Sequence, residues 1–133
     1  MRLLGIDFGR SRIGVAVVES EFGVSTARPF LPASGTLAKD AEEITKIATK
    51  EEASKVVFGL PSEDPNDKAA KIIRRLASIV EGNGLDVEFV NESMTSFESE
   101  AAMLESGLKG SERRARVDGE SACRILERYL NKE

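Results

Sequence analysis

Residues 2–18 read RLLGIDFGRSRIGVAVV and decide the fold. They contain two apolar runs, Arg2–Phe8 and Ile13–Val18, joined by the short link Gly9-Arg10-Ser11-Arg12. Runs of this length that are rich in Leu, Ile and Val predict β-strands, and a link this short predicts an antiparallel hairpin. The first strand therefore carries a carboxylate, Asp7, next to its last residue and just before a tight turn.

After the hairpin, short apolar runs alternate with amphipathic segments. The pattern predicts a strand at Val24–Phe30, a helix from Leu37 to about Lys50 with Thr36 as its N-cap, a strand at Lys55–Leu60, a helix from about Lys68 to Glu81, a strand at Val87–Val90, a helix from Thr95 to about Ser106 and a final helix from about Val117 to Asn131. In the second helix the residues predicted to be buried are Ala69, Ile72, Ile73, Leu76, Ile79 and Val80. A hairpin followed by crossover strands predicts an α/β fold with a mixed sheet flanked by helices, and we expect residues 1–133 to form a single domain.

The composition excludes several classes of site. The chain has no histidine, which excludes His-based catalytic triads and most zinc sites, so a metal ligand or general base would be a carboxylate or, as a weaker choice, Lys, Tyr or Cys. The one cysteine, Cys123, cannot form an internal disulfide, and without a histidine to activate it we expect a small core residue in a cytoplasmic protein. No apolar stretch reaches the roughly 18 residues of a membrane span, so no membrane partner is expected.

Three carboxylates stand where predicted elements begin or end. Asp7 lies at the end of the first strand, Glu92 follows the fifth, and Asp118 lies at the start of the final helix. Oxygen ligands of this kind suit Mg²⁺ or Mn²⁺. Each residue also has a structural interpretation: a turn-forming Asp in a hairpin, a solvated charge at a strand end, and a helix N-cap. Glu98 is assigned to a capping box with Thr95 and is left out of the site.

The cationic residues predict where phosphates would bind. The net charge of −4 does not indicate a nucleic-acid-binding surface over the whole chain. However, Lys109, Arg113, Arg114 and Arg116 lie in a predicted loop just before Asp118, and Gly9, Arg10 and Arg12 lie in or beside the hairpin turn after Asp7. A solvated loop is the alternative interpretation of the 109–116 segment. We predict that Arg10, Arg12, Arg113, Arg114 and Arg116 bind backbone phosphates and that Gly9 allows the anion to approach closely.

With these residues placed, the chain resembles the YqgF family, the RuvX-like group of bacterial proteins with the ribonuclease H fold. The segments that carry the resemblance are Asp7-Phe8-Gly9 with Arg12 to Val17, Ala27-Arg28-Pro29, Gly59-Leu60-Pro61, Glu92 to Glu98, and Arg116-Val117-Asp118 with Ala122, Ile125 and Leu126. They occur in the family's order over nearly the whole chain. The chain departs from the family pattern at Ser11, Asn91 and Ser93 and in the loop after Pro61.

The resemblance implies a ribonuclease-H-like fold with a five-stranded mixed sheet of order 3-2-1-4-5. It also implies that Asp7, Glu92 and Asp118 are the catalytic residues and metal ligands of a nuclease that uses Mg²⁺ or Mn²⁺, with two ions expected. The implied activity is metal-dependent endonucleolytic hydrolysis of structured nucleic acid, in processing of the 5′ end of pre-16S ribosomal RNA during ribosome biogenesis.

Two other functions stay open at this point. One is Holliday junction resolution in DNA recombination and repair, which needs the same metal site and favours a homodimer over a monomer. The other is a non-catalytic nucleic-acid-binding module descended from a nuclease. A sugar-kinase-like or actin-like ATPase shares the Asp-x-Gly opening, but 133 residues do not supply a second lobe to close over ATP.

Overall fold

The computed structural model describes residues 1–91 and 110–131, with the backbone alone for 110–118. Its elements are β1 (Arg2–Phe8), β2 (Arg12–Glu19), β3 (Ser25–Pro32), α1 (Leu37–Lys50), β4 (Lys55–Leu60), α2 (Lys68–Gly82), β5 (Asp86–Asn91) and α3 (Gly110–Leu130). The predicted helix at Thr95–Ser106 lies outside the described residues.

The five strands form one mixed sheet of order β3-β2-β1-β4-β5, which confirms the predicted fold class and strand order. β1 pairs antiparallel with β2, and β2 with β3, as a meander. β4 pairs parallel with β1 and β5 pairs parallel with β4, after helical crossovers. The carboxyl ends of β1, β4 and β5 therefore lie at one edge of the sheet. We call this the carboxyl edge.

Each face of the sheet buries its own core, because alternate residues of a strand point to opposite faces. Leu4 and Ile6 of β1 pack in the larger core with α1 and α2. Leu3 of β1 packs in the smaller core with Ile125 and Leu126 of α3. Gly5 and Asp7 alternate with Leu4 and Ile6, so Asp7 lies on the face that α3 covers.

α3 crosses this face obliquely and in close contact. A Cβ added to Gly119 would lie 2.8 Å from the Cβ of Ala27 in β3. One added to Gly5 of β1 would lie 2.7 Å from Leu126 Cγ. Further along the helix, the Tyr129 hydroxyl accepts a 3.1 Å hydrogen bond from Lys55 Nζ of β4. The two glycines therefore let the helix approach the sheet within distances that any side chain would prevent.

One group of ion pairs joins β1, β3 and the end of α1 on the face of the sheet opposite to α3. Glu51, just after α1, accepts a 2.8 Å hydrogen bond from Arg28 Nε of β3, and a 3.4 Å bond from Arg2 Nη2 of β1. The Glu51 side chain is only 16% exposed. Arg28, part of a segment that carries the family resemblance, thus fixes β3 to the end of α1.

The second helix is rotated from its predicted orientation. Its buried residues are Ala70, Ile73, Leu76, Ala77 and Val80. Ala69 and Ile72, predicted to be buried, are exposed, Ile72 by 45%. The sequence places apolar residues in adjacent pairs along this helix, so the apolar stripe is wider than the contact and packing decides its orientation.

Two further predictions on helix and strand ends were wrong. α3 begins at Gly110, so the described part of the basic segment, residues 110–116, is helical although a loop was predicted, and Asp118 lies well inside the helix and is not its N-cap. Arg, Glu and Ala are good helix formers, and a glycine costs little at the first position of a helix. β3 extends from Ser25 to Pro32, beyond the predicted Phe30. Thr36 is the N-cap of α1 by position, but its side chain makes no capping hydrogen bond.

Candidate active site

Asp7 lies at the carboxyl edge on the central strand of the sheet. It pairs with Gly14 of β2 on one side, and its neighbour Ile6 pairs with Phe58 of β4 on the other. Its side chain is half-buried. In open α/β sheets, ligands bind in the crevice beyond the carboxyl ends of the strands. The structure therefore places this predicted ligand where the fold offers a site.

The turn after Asp7 is closed by a short backbone contact. The Gly9 N–H donates a 3.0 Å hydrogen bond to the Arg12 carbonyl oxygen. A Cβ on Gly9 would lie 2.7 Å from that same oxygen, so the turn needs glycine here. Arg10 at the tip is exposed, and the Arg12 guanidinium lies 5.8 Å from the centroid of the Phe30 ring. Arg10 and Arg12, two of the predicted phosphate-binding residues, therefore lie in or beside the turn that follows Asp7.

A cavity of about 470 Å³ lies at the carboxyl ends of β4 and β5. The described residues that line it are Leu60, Glu63, Arg74, Phe89, Val90, Asn91 and Arg128. The Arg74 guanidinium lies 5.5 Å from the centroid of the Phe89 ring. Arg128 Nη1 donates a 2.8 Å hydrogen bond to the Asn91 carbonyl oxygen.

Sequence reasoning missed Arg74 and Arg128 as candidate site residues. Neither belongs to a motif, and each lies on a helix far from Asp7 along the chain. The sequence around an exposed basic residue on a helix does not show which part of the folded protein the residue will lie beside. Only the packing of α2 and α3 on opposite faces of β5 brings both cations to the carboxyl edge.

The three predicted metal ligands are described to different extents. Asp7 is placed as above, whereas Glu92 lies outside the described residues. Asp118 lies on α3, next to Gly119 and thus on the helix that covers the face of Asp7. Arg113, Arg114 and Arg116 lie on the same helix, on the turns before Asp118. Among described residues no group of three or more His, Cys, Asp or Glu side chains is close enough to hold a metal, so convergence of the triad stays a prediction.

Cys123 has the environment of an inert thiol. Burial raises the pKa of the Cys123 thiol, against a smaller opposite effect of a hydrogen bond with Ser25. A thiol with a raised pKa is a poor nucleophile at neutral pH.

Within residues 1–91 and 110–131, no helix has the length and apolar character that crossing a bilayer requires.

Comparison with known proteins decides the family. The model of the RuvX family, described as Holliday junction resolvase, matches residues 1–132. The chain belongs to the RuvX family. The resemblance stated from its motifs is therefore confirmed.

Curated relatives of this RuvX protein match it over almost their full length. A protein of Anaeromyxobacter sp. (strain K), named "Putative pre-16S rRNA nuclease", is 35% identical over 99% of this chain and 98% of its own. A protein of Clostridium botulinum (strain Eklund 17B / Type B) with the same name is 33% identical, again over 99% and 98%. The family description and these names specify nucleases.

Solved resolvases share the fold of this RuvX protein. The fowlpox virus Holliday junction resolvase matches with a TM-score of 0.63 and 11% identity over 100% of both chains. RuvC of T. thermophilus, solved with a Holliday junction substrate, matches with a TM-score of 0.58 and 15% identity over 98% of this chain and 93% of its own. At these identities the likeness confirms the ribonuclease-H-like fold alone.

Proposed function

We propose that this RuvX protein is a metal-dependent endonuclease that hydrolyses phosphodiester bonds of structured nucleic acid, with the 5′ end of pre-16S ribosomal RNA as its substrate in the cytoplasm. The observation that carries the proposal is the position of Asp7. It is the penultimate residue of the central strand of a ribonuclease-H-like sheet, on the face covered by α3, and the Gly9–Arg10 turn follows directly after Phe8. The names of the curated relatives support the substrate.

The available donors fit a hard divalent cation. The chain has no histidine, and the three candidate ligands Asp7, Glu92 and Asp118 are all carboxylates, which Mg²⁺ and Mn²⁺ prefer. These residues would hold one or two ions. When bound, such an ion lowers the pKa of a water ligand and stabilises the charge that develops on the phosphate and the leaving oxygen.

The chain's own cations would hold and orient the substrate backbone. Arg10 and Arg12 flank the turn after Asp7, and Arg113, Arg114 and Arg116 lie on α3 before Asp118. Guanidinium groups bind phosphate oxygens in a bidentate manner, which fixes direction as well as position. Arg128 adds a cation at the carbonyl of Asn91, the residue that precedes Glu92. The site would thus neutralise phosphates from both sides of the scissile bond.

The test is cleavage of a pre-16S RNA 5′ leader with Mg²⁺, with Mn²⁺ and with chelator, by wild type and Asp7→Asn. We expect cleavage only with the metal, and a loss of roughly two to three orders of magnitude in Asp7→Asn. The matched control is Asp86→Asn, an exposed aspartate at the start of β5, on the opposite edge of the sheet. Cleavage that survives Asp7→Asn, or that Asp86→Asn reduces equally, would contradict the assignment.

The family description favours one second candidate, resolution of Holliday junctions. A four-way DNA junction assayed beside the RNA leader separates the two functions. Paired symmetric nicks in the junction need two active sites, so light scattering of the protein–junction complex should then show a homodimer. Binding of both substrates without cleavage of either would instead indicate a non-catalytic module.

A further inference from the structure

A second cavity lies beside the Asp7 turn, on the face opposite to α3. Its volume is about 250 Å³, and its described lining consists of Phe8, Gly9, Arg10, Lys68, Ala69, Ile72 and Ile73. Phe8 follows Asp7 directly and packs against the α1/α2 core. The cavity is therefore formed between the end of β1 and the first turns of α2. We call it the Phe8 pocket.

The Phe8 pocket combines an apolar wall with a cationic rim. Phe8, Ala69, Ile72 and Ile73 supply apolar surface, and Ile72 is 45% exposed. The two charged residues among the described lining, Arg10 and Lys68, are both positive. An apolar recess with cations at its mouth is complementary to a flat apolar group that carries an anion.

The size of the pocket limits its occupant. A volume of about 250 Å³ equals roughly eight water molecules at about 30 Å³ each, and it lies below the roughly 300–1,000 Å³ of sites for drug-sized ligands. One planar heterocycle of the size of a nucleobase fits this space. A nucleobase stacked on an aromatic ring, with its phosphate on a cation, is a general mode of binding unpaired nucleic acid.

We propose that the Phe8 pocket receives one unstacked nucleobase of the substrate, next to the nucleotide cleaved at Asp7, and that Arg10 and Lys68 hold its phosphate. The inference rests on the proposed nuclease function and adds to it a preference for substrates that are unpaired at the cleavage site. A strand that crosses the Gly9–Arg10 turn passes from the Asp7 face to the Phe8 face. The base would be held by stacking and apolar contact, with no sequence readout.

The probe is a hairpin RNA leader carrying 2-aminopurine at single positions around the cleavage site, bound in chelator so that no cleavage occurs. Removal of a base from its stack raises the fluorescence of 2-aminopurine, and anisotropy of a separate end label reports binding. We expect a fluorescence rise at one or two adjacent positions with wild type. Ile72→Glu should abolish the rise and weaken binding about ten-fold, and Lys68→Gln should weaken both.

Two variants on the same helix serve as controls. Ser78→Glu and Lys71→Gln change exposed positions of α2 that do not line the pocket, and both should bind and fluoresce like wild type. Circular dichroism melts of all four variants check that each is folded. Binding without a fluorescence rise, or equal effects in the pocket variants and the controls, would overturn the pocket assignment but not the nuclease. Absence of binding by wild type would overturn both.

Discussion

Glu51 is one residue whose contribution to stability depends on pH. Its hydrogen bond from Arg28, with further attraction from Arg28 and Arg2, lowers the pKa of the Glu51 carboxyl. A carboxyl with a lowered pKa in the folded state stabilises the fold above its pKa in the unfolded chain, about 4.3 for Glu. This stabilisation is lost as the pH falls through the folded-state pKa.

We expect Glu51→Gln to lower the free energy of unfolding by about 1 kcal/mol at pH 7, since the pair is partly exposed. The difference from wild type should shrink as the pH falls below about 4.3, the pKa of Glu in the unfolded chain, and should vanish below the lower folded-state pKa, where the wild-type carboxyl is also neutral. Urea unfolding at several pH values measures this. Glu52→Gln, the exposed next residue, is the matched control and should show neither effect. A difference between Glu51→Gln and wild type that persists unchanged at pH 3 would contradict the ion-pair explanation.

The contact of the helix α3 with the strand β1 sets the position of Asp118, on α3, relative to Asp7, on β1. A Cβ at Gly5 would lie 2.8 Å from the Ala122 carbonyl oxygen and 2.7 Å from Leu126 Cγ. Leu126 is fully buried and the carbonyl belongs to the helix backbone, so the helix itself would have to move. We expect Gly5→Ala to lower the free energy of unfolding by about 1–3 kcal/mol. It should also reduce cleavage, because α3 carries Asp118.

Gly82→Ala provides the matched control for Gly5→Ala. Gly82 ends α2, and a Cβ there would meet no atom within 4 Å. Alanine in a helix is favoured over glycine, so this variant should be neutral or more stable by up to about 1 kcal/mol. Urea unfolding and the cleavage assay on both variants make the comparison. If Gly5→Ala behaves like Gly82→Ala, α3 does not approach the sheet as closely as described.

The helices and strands differ in how far the sequence alone predicts them. The opening hairpin, β4 and α1 followed from apolar runs, a short link and helical spacing, all local signals. The orientation of α2 did not, because paired apolar residues such as Ile72 and Ile73 leave the rotation to packing. The start of α3 did not either, because the basic segment before Asp118 was predicted to be a loop. For the candidate site, the strand end of Asp7 was predictable, whereas the cations Arg74 and Arg128 depended on tertiary packing.

For the whole molecule, the distribution of charge matters more than the net charge of −4. Arg10, Lys68, Arg74 and Arg128 lie along the carboxyl edge, where they line the cavity of about 470 Å³ and the Phe8 pocket. Lysines elsewhere are engaged locally: Lys46 forms salt bridges with Glu42 and Glu43 within α1. A polyanion approaching the carboxyl edge therefore meets these four cations, with one carboxylate, Glu63, beside Arg74 and Arg128 in the lining of the cavity of about 470 Å³. Such binding should be steeply dependent on salt.

We expect the double substitution Arg10→Gln with Arg74→Gln to lower the slope of log affinity against log salt by about 1.5, since each lost phosphate contact removes about 0.7–0.9. The matched control is Lys46→Gln with Lys50→Gln, which removes the same two charges from the second half of α1, toward the opposite edge of the sheet. Titration of the RNA leader in chelator at several salt concentrations measures both slopes. Equal slopes for the two double variants would mean that the net charge of the protein, and not the position of the cations at the carboxyl edge, governs binding. A lower slope in the first double alone would identify that edge as the surface along which the substrate backbone runs.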